Sequence, residues 1–367
     1  MKEEFKTGIW VFADRKDMAN DNAEHLYRYI KDNNLKKDIY FILNKSSKDY
    51  PRLKADGFKL LHPHSILFYY ILFKSTCIIS SHLDNYLLRV FGKNTLKNKK
   101  MIFLQHGVIK DDLSHWLNRY KIDIMLTSTQ DEYNSIVYND NYKLSKNEVM
   151  LTGLPRFEAL KKKSKEIKTK NIILIMPTWR NSLVGGIDKK SYKRKIKDVF
   201  FESEYYKNYS KLLNSNELQE ICRKYNYKVI FMLHYGMLNY KDTFCYSDNI
   251  EFISIEEDIQ KYLCMAKILI TDYSSIAFDF AYLKKPIIYF HFKEKQNTHF
   301  YSGGYFSYEH DGFGKVCNVL NEIYYELEQI IKNKCNINKK YKNRYNIFRH
   351  CNDINKKNFK IIEKIFY

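Results

Sequence analysis

Short apolar runs recur along the first half of the chain, separated by polar or helix-patterned segments. They are GIWVFA (8–13), DIYFIL (38–43), FKLL (58–61), TCIIS (76–80), MIFLQ (101–105), IDIMLT (122–127) and VMLTG (149–153). Runs of this length suit strands buried on both faces, and their alternation with helical segments predicts a mostly parallel sheet. Between the first two runs, NDNAEHLYRYIKDNN sets Leu26, Tyr27 and Ile30 on one helical face, with Asp21 and Glu24 as a capping box. KKKSKEIKTK (161–170) then breaks the pattern, with little to bury beyond Ile167. It is expected to be the exposed boundary between two domains. A second series follows: NIILIM (171–176), YKVIFML (227–233), IEFIS (250–254), KILIT (267–271), PIIYF (286–290) and GKVCN (314–318). The chain beyond Tyr341 is basic with spaced aromatics and isoleucines, which predicts a terminal helix. The expected division is therefore 1–165, 166–340 and a helical tail, 341–367.

Open parallel sheets bind ligands at the carboxyl ends of their strands, so polar residues at those ends are the candidates for chemistry. Histidines follow several runs: His62 and His64, His82, His106 in FLQHG, and His234 in FMLHY. A single strand-end histidine is ordinarily a structural hydrogen-bonder. A neutral imidazole at position 106 could equally accept a proton from an attacking hydroxyl or cap a turn. Lys110 and the Asp111–Asp112 pair behind it could bind an acceptor or form a solvated turn. The aspartates lack the spacing of a metal-binding DxD, so no metal is inferred. In IMPTWR, Thr178 and Arg180 end another run, and the planar guanidinium could grip a phosphate or simply cover Trp179. Asp258 opens an amphipathic helix and reads first as its cap, second as a ribose contact. In ILITDYSSIAFDF (268–280), a buried run stops at Asp272-Tyr273-Ser274-Ser275 and helical spacing begins at once. The two serines sit where an N-cap belongs, a position whose free N–H groups also favour an anion.

Composition narrows the partners. The 367 residues include 32 tyrosines and 24 phenylalanines, enough apolar material for two cores. Lysine and arginine outnumber aspartate and glutamate by 62 to 42, a net charge of +20 that favours an anionic partner. The basic residues are spread widely and no RRM, KH or helix-turn-helix signature appears, so nucleic acid is not expected. The seven cysteines are scattered and never in CxxC spacing, which argues against a disulfide framework or a zinc site. MKEEFKTGIW reaches no apolar core, so no signal peptide is expected, and ILFYYILF (66–73) is too short to span a bilayer. The expected location is cytoplasmic, with the basic, aromatic C-terminal segment meeting the anionic inner face of the cell membrane.

FLQHG, LTGLPRFEAL, PTWR, DIQKYLCMAKILITDYSSIAFDFAYLKKPIIYF and SGGYF occur in the order seen in the CDP-glycerol glycerophosphotransferases. WVFADRKDMANDNAEHLYRYI resembles the start of their catalytic module, so the resemblance spans nearly the whole chain. It implies an α/β, GT-B-like fold, with two Rossmann-like domains facing a central cleft: an acceptor-side domain first and a CDP-alditol-binding domain second. It implies transfer of glycerol phosphate, or a related alditol phosphate, from CDP-glycerol or CDP-ribitol to an acceptor hydroxyl with release of CMP. The acceptor would be a lipid-linked or polymeric glycan or alditol phosphate, and the product a teichoic-acid-like or capsular polymer. No cofactor is implied. By motif match His106 is the general base, and Arg180, His234, Ser274, Ser275, Asp272, Thr178 and Asp258 are donor contacts. Lys110 and Asp111 fall on the acceptor side. QHG stands where the wall-teichoic-acid branch commonly has Trp before His-Gly, so a capsule or other surface polymer is expected as readily as wall teichoic acid. The alternatives are a GT-B glycosyltransferase using a nucleotide-sugar and, further off, a nucleic-acid-binding protein.

Overall fold

In the computed structural model, residues 8–187, 194–247, 249–254, 257–294, 303–348 and 351–366 are described. Every one of the apolar runs becomes a strand. The first series gives β1 (Ile9–Ala13), β2 (Ile39–Ile42), β3 (Leu60–Leu61), β4 (Ser75–Ser80), β5 (Lys100–Phe103), β6 (Ile124–Thr127) and β7 (Val149–Leu151). They pair in the order β3-β2-β1-β4-β5-β6-β7, parallel throughout. The second unit begins with β8 (Ile172–Met176), followed by an antiparallel pair that the apolar pattern did not announce, β9 (Val184–Ile187) and β10 (Arg194–Ile196). Then come β11 (Lys228–Phe231), β12 (Ile250–Phe252), β13 (Ile268–Thr271), β14 (Ile287–Phe290) and β15 (Gly314–Cys317). This sheet is also parallel, in the order β12-β11-β8-β13-β14-β15. The expected α/β class with two Rossmann-like sheets is borne out.

Each sheet reverses its direction of growth once, between β1 and β4 in the first and between β8 and β13 in the second. At such a point the connections leave to opposite sides and open a crevice at the carboxyl ends of the strands. Both sheets are buried on two faces. Helix Asn22–Asp32 covers one face of the first with Leu26, Tyr27 and Ile30, and helix Ile66–Lys74 covers the other with Phe68, Ile71 and Leu72.

The chain divides into two compact units, Met1–Ala159 with Ile347–Tyr367, and Leu160–Asn346. The division falls inside helix Arg156–Glu166, beside the lysine-rich stretch expected to be the exposed boundary, whose first six residues continue that helix. Phe157 and Leu160 are buried while Lys161, Lys162 and Lys165 point to solvent, so the lysines form a helix's wet face. The tail is likewise two pieces where one helix was expected. Tyr345 donates from its hydroxyl to the Phe313 carbonyl at 2.8 Å, within the second unit. Helix Ile354–Lys364 instead lays Phe359 and Ile362 into the first core beside Trp10, Phe12 and Leu26. Its Asn358 accepts from Thr152 Oγ1 at 2.5 Å, just beyond β7.

Ile362 is fully buried there. Ile362→Ala is expected to cost about 2–5 kcal/mol, the transfer free energy of the lost methyl groups together with the cavity they leave. Urea unfolding should show a lowered midpoint, and an unshifted midpoint would mean that the helix adds nothing to that core.

Candidate functional site

In the first unit the polar residues converge on the point where the sheet reverses. Asp14 follows β1, Ser81 and His82 follow β4, and Gln105 and His106 follow β5. Asp21 and Glu24 were expected to cap helix Asn22–Asp32 by themselves. Glu24 does reach back to the Asn20 N–H at 2.7 Å, but Asp14 takes the first-turn amides of Ala23 at 3.0 Å and Glu24 at 3.2 Å. Ser81 Oγ donates to the same Asp14 carboxylate at 2.5 Å. Burial and the neighbouring Asp21 push the Asp14 carboxyl up to about 8.

Asp21 is thereby left with only the Asn22 N–H to cap, and its carboxylate serves side chains. His106 Nδ1 donates to Asp21 Oδ2, and His82 Nε2 lies 3.4 Å from that oxygen. Arg156 Nη1 donates to Asp21 Oδ1 at 2.9 Å and also to the His106 carbonyl. Burial alone would raise Asp21, but His106, His82 and Arg156 outweigh it and hold its carboxyl well below the usual carboxylate range. Burial drives His82 the other way, down to about 4, so this imidazole is neutral near pH 7. The two imidazole rings lie 4.7 Å apart, yet the His106 side chain is half exposed while His82 is largely covered. An ionised Asp21 accepting from Nδ1 fixes the neutral His106 tautomer, with its lone pair on Nε2. Asp21, His82 and His106 also offer three ligand atoms within 4.8 Å of one another, a set that could hold a cation. Arg156 already supplies positive charge to that carboxylate, which favours the hydrogen-bonded reading.

The second unit repeats the arrangement with different chemistry. Asp272, at the end of β13, is fully buried, and its Oδ1 accepts from the Thr178 and Tyr273 N–H groups at 2.7 Å each. Its Oδ2 pairs with Arg180 Nη1 at 3.0 Å. Arg180 is as deeply buried, donates from Nη1 to the Thr178 carbonyl at 2.9 Å and from Nη2 to Glu294 at 2.7 Å, and lies over the rings of Tyr205 and Tyr273. Burial would lower this guanidinium's pKa, but Asp272 and Glu294 outweigh it and raise it. The fork expected to grip a phosphate thus grips two carboxylates and ties the loop after β8 to the loop after β13. Trp179 and His234 stack with rings 5.5 Å apart and 10° from parallel, and Arg194 lies against Trp179. His234 Nδ1 accepts from the Gly236 N–H at 3.1 Å, which puts the neutral ring's proton on Nε2.

Thr178, Arg180 and Asp272 are therefore in direct contact, with Ser274 and Ser275 next along the chain. Ser274 Oγ accepts from the Ile276 N–H at 3.3 Å, while Ser275, at the N-cap of helix Ile276–Tyr282, makes no side-chain cap bond. Asp258 stands apart, capping helix Ile259–Met265 through the Lys261 N–H and pairing with Lys163 at 2.6 Å. In the first unit Lys110 is buried and pairs with Asp111 at 2.5 Å. No local feature of the sequence marks Arg156 or Glu294 as functional, and Asp21 is marked there only as a cap. Arg156 lies within LTGLPRFEAL, where nothing local pairs it with residue 21.

Residues 3–367 match the family model described as CDP-Glycerol:Poly(glycerophosphate) glycerophosphotransferase. The chain belongs to this family. It is similar to the minor teichoic acid biosynthesis protein GgaB of Bacillus subtilis, 36% identical over 95% of this chain and 39% of GgaB. It is 25% identical to a teichoic acid glycerol-phosphate transferase of Staphylococcus aureus over 54% of this chain and 49% of that protein. The chain thus matches less than half the length of either relative. Among solved structures, the wall teichoic acid polymerase TagF superposes with a TM-score of 0.69 at 17% identity, over 98% of this chain and 88% of that one. A UDP-GlcNAc 2-epimerase from Methanocaldococcus jannaschii gives a TM-score of 0.56 at 12% identity, over 97% and 99% of the two chains. At these identities the two superpositions speak for the fold alone.

In this glycerophosphotransferase-family chain, truncating Arg180 would take away the cation paired with the fully buried Asp272 carboxylate. Arg180→Ala is expected to lose about 3–5 kcal/mol of stability. Denaturant titration of the variant measures this directly, and wild-type stability would mean that the buried pairs are not holding the two loops.

Proposed function

We propose that the chain transfers glycerol phosphate from CDP-glycerol to an acceptor hydroxyl, releasing CMP, in the synthesis of a teichoic-acid-like surface polymer. Family membership, the teichoic acid relatives and the TagF structures, some obtained after soaking with CDPG, support this reading. The observation that carries it is His106, half exposed at a strand end with Nδ1 engaged by an ionised Asp21. In the reaction the acceptor oxygen bonds to the donor's β-phosphorus and the bond from that phosphorus to the CMP oxygen breaks. The hydroxyl proton passes to His106 Nε2, and CMP departs with the bonding electron pair. Asp21 stabilises the imidazolium so formed without taking its proton. Ser274, Ser275 and His234 are the proposed contacts to the donor's phosphates. Arg180, Asp272 and Thr178 act behind them as the frame that sets the loop. Asp258 is engaged as a helix cap and is left out of this set. Lys110 and Asp111 remain the proposed acceptor-side pair. Ribitol-phosphate polymerases are also among the relatives, so CDP-ribitol is the second donor to test.

His106→Ala is expected to lower CMP release about 10²–10⁴-fold while CDP-glycerol binding survives. Asp21→Asn should fall in the same direction, because an amide can hold the ring in either tautomer. Both are read by following CMP from CDP-glycerol, and in parallel from CDP-ribitol, with a glycerol-phosphate-bearing acceptor. A His106→Ala enzyme with half the wild-type rate would remove His106 from the mechanism, and no CMP from either donor with the wild-type protein would overturn the function.

We also propose contact with an anionic membrane face, through a different surface from the one expected. Phe359 and Ile362 of the tail are committed to the first core. Helix Ile66–Lys74 instead presents Ile66, Leu67, Tyr70 and Phe73 to solvent, Ile66 at 89% and Phe73 at 67% exposure. Phe91 extends that face, its ring 6.2 Å from Phe73, and Lys74, Arg89, Lys93 and Lys97 are exposed along the same stretch. Exposed apolar side chains with exposed cations on neighbouring stretches of chain suit an interface of acyl chains beneath anionic headgroups. No described helix is long and apolar enough to cross a membrane. The chain should sediment with phosphatidylglycerol vesicles, less with neutral ones, and less as salt rises. Phe73→Glu should abolish the binding; equal sedimentation of wild type and variant would clear this face of the role.

A further inference from the structure

We infer that Glu132 is a positioning residue that fixes the Gln105–Ile109 turn, and through it the reacting face of His106; the inference rests on the reading of His106 as the base. Glu132 is fully buried in the first turn of helix Gln130–Val137. Its N–H donates to Thr129 Oγ1 at 3.1 Å, the first half of a capping box. The second half is divided between two jobs. Oε2 accepts from the Ser128 N–H at 2.6 Å. Oε1 leaves the helix altogether and accepts from the Ile109 N–H at 2.7 Å and from Gln105 Nε2 at 3.2 Å. One carboxylate thus pins the chain on both sides of His106, one residue before it and three after.

The turn needs pinning. Gln105 has a left-handed backbone, φ +65°, which a side-chain-bearing residue adopts only when its surroundings hold it. Its amide supplies part of that hold, donating from Nε2 to the Leu126 carbonyl as well as to Glu132. On the opposite side Asn22 Nδ2 donates to the Gln105 carbonyl at 2.8 Å, and Arg156 donates to the His106 carbonyl. Those bonds hold carbonyls, whereas Glu132 holds the Ile109 amide and the Gln105 side chain. Burial pushes the Glu132 carboxyl up to about 7 against the pull of its donors. A helix cap alone would not require the second oxygen to reach across to β5.

The test is a double-mutant cycle on the full chain, with CDP-glycerol and a glycerol-phosphate-bearing acceptor. Glu132→Gln should lower kcat by about tenfold or more with KM for CDP-glycerol within about twofold, because it loosens the base and leaves donor binding alone. In a His106→Ala background the same substitution should change the residual rate by less than about twofold, since its effect passes through the missing imidazole. A merely structural Glu132 would lower both backgrounds by the same factor, and that result, or a wild-type kcat in Glu132→Gln, overturns the inference. If Glu132→Gln does not fold, Gln105→Leu, which cuts only the side-chain arm, carries the same cycle with the same outcomes. A His106→Ala enzyme at wild-type rate would instead remove the reading of the base, and is distinguishable because it needs no Glu132 variant.

Discussion

The first unit is organised around one buried carboxylate, Asp21, that is relieved of most of its helix-capping duty. Because Asp14 takes the Ala23 and Glu24 amides, Asp21 can face two imidazoles and a guanidinium. His106, His82 and Arg156 together keep that carboxylate charged inside the protein, where an isolated ion would be several kcal/mol too costly. The ionised Asp21 in turn decides which nitrogen of His106 is free. Altering any of these three partners would change the charge or tautomer of the others.

Asp272 has the corresponding place in the second unit, but its partners make it a brace. Its two oxygens connect Thr178 and Tyr273 amides with Arg180, so the loops after β8 and β13 are held to each other before any ligand arrives. A guanidinium buried between two carboxylates cannot also be an open anion clamp. Ser274, Ser275 and His234 are less deeply buried, and the two serines follow almost directly on the braced Asp272. Both units thus use carboxylates at the point where a parallel sheet reverses, one to polarise a side chain and one to fix a backbone.

The excess positive charge is not concentrated at either site. Much of it lies on solvated faces, such as the lysines of helix Arg156–Glu166, and some is exposed beside the apolar row of helix Ile66–Lys74. Charge spread in this way acts over a Debye length and favours an extended anionic surface over a single ligand.

The strands and the α/β class were legible in the sequence because two-sided burial leaves a mark within a few consecutive residues. Ile268–Thr271 and Ile172–Met176 read as strands from their apolar runs alone. The strand-end rule likewise brought out His106, His82, Asp272 and Arg180 before any contact was known. What the pattern could not carry was partnership. Asp21 looked like a cap because its neighbours in sequence are a helix; Asp14, from the strand before, takes that job only once β1 and the helix are packed together. Arg180 looked like an open fork because Asp272 and Glu294 are 92 and 114 positions away, and their approach depends on the sheet order. The lysine-rich stretch read only as an exposed boundary, without its helical turns, because a helix's wet face and irregular exposed chain have the same composition. Local periodicity determined the elements, while long-range pairing of buried charges, which only the tertiary structure brings about, decided what each polar residue does.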